Sequence, residues 1–148
     1  MKTLGYAPFY PNFRGTELMP PFARFVIFIF VSVIVFIGLL KFTLRTRSEK
    51  PSAKKIFAVT AVVVVGGMIF AKYGSNFGLP WWVYYTVPAL LTLLLPPISF
   101  RMNKSEVIPY LCLSFLVSPF IHFVFSFFIG WKEYMPFIPI PSIWEFIR

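Results

Sequence analysis

Four stretches of this chain, 25–40, 56–71, 79–100 and 107–131, contain no Asp, Glu, Lys or Arg. No other feature narrows the possible folds as much. A bilayer core takes about 20 residues of helix, with about 17 as the lower end. The third and fourth stretches reach that length outright. The first reaches it once Phe22, Ala23, Phe42 and Leu44 are added, because Arg24 and Lys41 can carry their charges to the headgroups on apolar stems. The second, closed by Lys55 and Lys72, is the shortest, and its Val, Ala and Gly suit a helix packed inside a bundle. Non-helical backbone facing lipid would leave its polar groups unpaired, so the stretches read as helices. The expected fold is an all-α integral membrane protein, a single domain of four transmembrane helices at about 22–42, 55–72, 80–100 and 107–131. Interfacial tails are expected at 1–20 and 132–148.

Composition agrees with hydrocarbon as the solvent. The chain is 58% hydrophobic and 13% charged, against about half and a quarter in a soluble domain. It has no Asp and no Gln, and Phe alone fills 20 of its 148 positions. The net charge of +9 does not point to nucleic acid, because the basic residues sit in one loop and at the ends of apolar runs. A phosphate-binding groove needs a basic face on a soluble module. The single cysteine, Cys112, can form no intrachain disulfide, and with His122 as the only histidine no metal site and no cofactor is expected.

Charge sets the expected orientation. The loop KFTLRTRSEKPSAKK holds Lys41, Arg45, Arg47, Lys50, Lys54 and Lys55 against Glu49, and RMNKSE adds Arg101 and Lys104. The other side spreads Lys2, Arg14, Arg24, Lys72, Lys132 and Arg148 over far more chain, with Arg24 slightly opposing the trend. The positive-inside rule then puts both loops in the cytoplasm and both termini on the non-cytoplasmic side, most simply of a bacterial inner membrane. The first apolar run does not read as a signal peptide, since Lys-Phe-Thr follows it instead of a small-residue cleavage site. No repeat marks two transporter halves.

Aromatic residues collect on the side of the termini. Tyr6, Phe9, Tyr10 and Phe13 precede the first span, Trp81 and Trp82 open the third, and Tyr134 and Trp144 follow the fourth. Pro20 and Pro21 suit a helix start, whereas Pro136, Pro139 and Pro141 forbid helix and force an extended run. Ser142 and Glu145 have capping-box spacing, so a short interfacial helix is expected there. Two readings follow. The rings anchor the chain in the headgroup zone, or Trp81, Trp82, Tyr134 and Trp144 form a surface for a partner.

Within the fourth span, Ser114, Ser118, His122, Ser126 and Gly130 recur at intervals of four and extend backward to Tyr110 and Glu106. Residues four apart form one slanting ridge, and small residues along it let helix backbones approach closely. Gly67 and Ala71, with Val63 on the same ridge of the second span, are the expected mates. His122, one turn after Pro119, is either a packed neutral imidazole or a polar site for binding, pH sensing or catalysis. Pro88, Pro96 and Pro97 free the carbonyls of Tyr84, Thr92 and Leu93, which predicts a kink and a ragged cytoplasmic end in the third span. Asn103-Lys104-Ser105 fits a glycosylation sequon but lies on the cytoplasmic side of this topology.

Enzyme chemistry is not expected. No acid lies inside an uncharged run, and Glu106 stands about 24 Å from His122 by helical rise, too far for a triad on one helix. An ion-coupled carrier keeps an intramembrane acid, and none is here. The remaining reading is a non-catalytic membrane protein acting on another membrane protein, or on its own copies, as an accessory subunit, assembly factor or immunity-type protein. The alternative is a small oligomeric transporter or channel with His122 and the proline-broken third helix lining its path.

Overall fold

The computed structural model describes residues 19–131 and 141–143. Among them every regular element is helical, and four helices are long and apolar enough to cross a membrane. The tails, with Tyr134 and Trp144, and the Ser142–Glu145 cap lie outside the described residues except for Met19, Pro20, Pro141, Ser142 and Ile143.

Helix α1, Pro21–Thr43, starts where the sequence supplies two prolines, its first position needing no donor. The second span is one continuous rod built from three pieces: α2 (Ala53–Thr60), a π-helical turn (Ala61–Gly66) and α3 (Gly67–Asn76). Ser52 caps its start by accepting from the Lys55 N–H at 3.3 Å. The widened turn coincides with Val62–Val65 and the Gly66–Gly67 pair, where β-branched crowding meets a backbone with little resistance to rewinding. Gly78, at φ +73°, reverses the chain after α3, and the Leu79 N–H reaches back to the Gly74 carbonyl at 3.0 Å.

Helix α4, Trp81–Ser99, continues through Pro96 and Pro97, so the ragged end expected of that pair does not occur. Instead α4 closes in a Schellman motif, with Arg101 left-handed at φ +46° and the Met102 N–H bonded to the Pro97 carbonyl at 2.9 Å. The Thr92 carbonyl, deprived of a donor by Pro96, accepts the Tyr110 hydroxyl. Helix α5, Lys104–Val124, begins at a reciprocal capping box between Asn103 and Glu106 and ends in a π turn, Phe125–Ile129, stopped by Gly130 at φ +78°.

α1 packs on the second span and on α5, and α3 packs along α4, whereas α4 and α5 meet much less. Two clusters form the interior. The larger joins Phe36, Leu40, Leu44, Ile56, Val63, Phe100 and Tyr110 toward the end carrying the basic loops. The smaller joins Phe28, Ile121, Phe125 and Trp131 toward the other end. The exterior is apolar, with Phe22, Phe30, Ile98 and Phe115 each more than 60% exposed. A soluble monomer rarely presents such a surface.

Candidate functional site

The row on the fourth span divides by depth. Glu106, Tyr110, Ser114 and Ser126 are buried, His122 and Gly130 are half-buried, and Ser118 is exposed. The buried serines bond to their own chain: Ser114 Oγ donates to the Leu111 carbonyl at 3.1 Å, and Ser126 Oγ to that of Trp131 at 3.3 Å. Gly67 does not serve this row as expected. A Cβ at Gly67 would stand 3.3 Å from the Pro88 Cβ, and one at Gly74 would stand 3.0 Å from the Tyr84 Cβ. The close approach of the second span is therefore to α4, because the chain turns tightly at Gly78 and lays α4 directly along α3.

What lies between the row and the second span is space. A cavity of about 800 Å³ is lined by all four spans, with Ser114, Ser118 and His122 on one wall and Gly67, Ala71 and Lys72 on another. Pro88 and Pro119 both border it, and Ala89, Ser118 and Pro119 are exposed, which marks an opening between α4 and α5. The His122 ring lies 5.1 Å from that of Phe28, tilted at 43°, and Phe28 also meets Phe125 edge-on at 5.0 Å. Lys72 holds its ammonium 4.0 Å above the Phe25 ring at the far end from the basic loops.

The basic end is closed. Arg47, from the first loop, grips Glu106 with two parallel bonds of 2.6 Å, Nε to Oε1 and Nη2 to Oε2. The same guanidinium donates to the Phe100 carbonyl at 2.8 Å and the Arg101 carbonyl at 3.1 Å, filling the carbonyls that the end of α4 leaves over. Glu106 Oε2 also accepts from the Asn103 N–H at 3.0 Å. Hydrogen bonding to Glu106 raises the Arg47 pKa above its ordinary value, so the cation persists across any physiological pH. Nothing in the charge pattern alone pairs Arg47 with Glu106. The clamp's signal was the Asn103-to-Glu106 capping spacing, within the same residues that read as a sequon, around the one acid facing a loop of cations.

Trp81 and Trp82 open α4 at 66% and 58% exposure. No group of three or more possible metal ligands occurs among the described residues. No family model, no characterised protein and no solved structure matches the chain.

Proposed function

We propose that the chain is a multi-pass membrane protein that acts by lateral contact with another membrane protein, and that α4 is its docking helix. One observation carries the reading. The most apolar 18 residues of the third span have a mean hydropathy of 1.3, the lowest of the four, yet only 6% of them are buried, against 28%, 33% and 17% in the others. In a bundle that meets only lipid, the least apolar helix belongs inside. Here it is outermost, and Trp82, Thr86, Leu90, Leu94 and Ile98 make an unbroken exposed ridge at intervals of four. Such a ridge fits the groove of a second helix. With the basic loops in the cytoplasm, Trp81 and Trp82 stand at the opposite headgroup level, where a ring can bind lipid and protein together.

A photo-crosslinking residue at Leu94 should yield an adduct with a distinct protein, and Trp81→Ala with Trp82→Ala should abolish its recovery from mild detergent while insertion is unchanged. Adducts with lipid alone at Leu94, Leu90 and Ile98 would overturn the reading. The transporter alternative draws on His122 and Pro88 bordering one cavity. Against it, the Leu40, Leu44, Ile56 and Phe100 cluster fills the bundle beyond that cavity. Unchanged flux by His122→Ala in reconstituted vesicles would remove the imidazole from any path.

A further inference from the structure

The cavity has a length, a polarity and an opening, and together these specify an occupant. Its wall on α1 runs from Pro21 to Leu39, about 27 Å along the axis by helical rise. On the second span it runs from Val63 to Lys72, and on α5 from Ser114 to His122. Most of that length is Phe, Val, Met and Ile, with isolated hydroxyls, and the cation Lys72 sits at one end. A void of about 800 Å³ with such walls is not left empty in a packed protein, and water finds few partners there. An extended hydrocarbon chain suits a cleft of this length whose walls are mostly apolar and which opens sideways.

We infer that the cavity binds a lipid with an anionic headgroup, one acyl chain lying along the cleft and the phosphate paired with Lys72. The entry is sideways. α4 and α5 are joined near the basic end by the Tyr110 hydroxyl on the Thr92 carbonyl and separate beyond it, with the exposed Ala89, Ser118 and Pro119 at the gap. A chain can pass through that gap from the bilayer without leaving hydrocarbon, which a soluble ligand could not do. At the head end, Phe25 holds Lys72 on the cavity wall through the 4.0 Å cation–π contact, which keeps the charge at the end of the cleft. The second acyl chain stays in the surrounding leaflet. The binding does not depend on any partner at α4, and the two readings can fail separately.

Native mass spectrometry of the full chain in mild detergent tests this with dioleoyl phosphatidylglycerol and dioleoyl phosphatidylcholine as probes. One phosphatidylglycerol should be retained per chain, at about fivefold higher affinity than phosphatidylcholine, the increment of one lysine near an anionic surface. Lys72→Gln should bring the two lipids level. Ala71→Leu and Ser118→Leu, which add bulk to opposite walls, should lose both lipids while eluting as the wild type does, with the same helical circular dichroism. If Ala71→Leu does not fold, Ser118→Leu decides, because the exposed Ser118 position tolerates an apolar side chain. Equal retention of the two lipids by the wild type, or retention unaffected by the bulky substitutions, overturns the proposal.

Discussion

The two ends of the bundle solve the same problem in opposite ways. At the basic end, one guanidinium ties the first loop to two carbonyls of the second loop and to the carboxylate of Glu106, and the helix termini there are capped. At the other end, α4 and α5 stand apart around a cavity, and the Phe125–Ile129 π turn ends the fourth span there. Polar atoms gathered at one end fix the relative positions of three spans. The other end carries the apolar cluster of Phe28, Ile121, Phe125 and Trp131 and the Lys72–Phe25 contact, and packing of apolar side chains tolerates a gap as long as hydrocarbon fills it. The difference teaches that hydrogen bonds from one charged group to carbonyls and a carboxylate can fix one end of a bundle while the other opens around a cavity.

The comparison breaks first at the clamp. Glu106→Ala leaves Arg47 with the two carbonyls but without its carboxylate and removes the capping box, and should cost about 3 kcal/mol in a reversible unfolding assay. Arg47→Ala should cost nearly as much, and the double variant more than either single one but less than their sum, since the two share the ion pair and each also makes bonds of its own. Gly67→Leu comes next. The new side chain has to enter a space already 3.3 Å from Pro88, so α3 and α4 must separate at about 2 kcal/mol. Tyr110→Phe strands the Thr92 carbonyl and should cost about 1 kcal/mol. It should also widen the α4–α5 gap, which the phosphatidylglycerol retention assay would register. Ser126→Ala is the smallest, at about 0.6 kcal/mol or less, because its bond to the Trp131 carbonyl is long and local.

Charge-free length was legible from the residues alone, because hydrocarbon admits few alternatives to a helix of about 20 residues. The four helices long and apolar enough to cross a membrane follow from it. The row on the fourth span was legible as a ridge, but its neighbours were not. Spacing tells which residues share a face, and the partner of that face depends on how tightly the chain turns at Gly78. For the same reason Gly67 was assigned to α5 and lies on Pro88. The proline pair at 96–97 looked destructive because the sequence displays the donors that are lost. It does not display that Tyr110, distant in the chain, supplies the replacement at the Thr92 carbonyl. The cavity had no signal at all, since a void is a property of the packing and of no residue.

The asymmetry between the ends is measured most directly by electron–electron resonance in lipid nanodiscs, on a Cys112→Ser background. One spin-label pair goes at Ile98 and Ile108 beside the clamp, and a second at Val83 and Phe123 across the cleft. The account predicts a narrow distance distribution for the first pair, and a broad one for the second that sharpens when phosphatidylglycerol is added. Equally narrow distributions at both ends, indifferent to lipid, would contradict it.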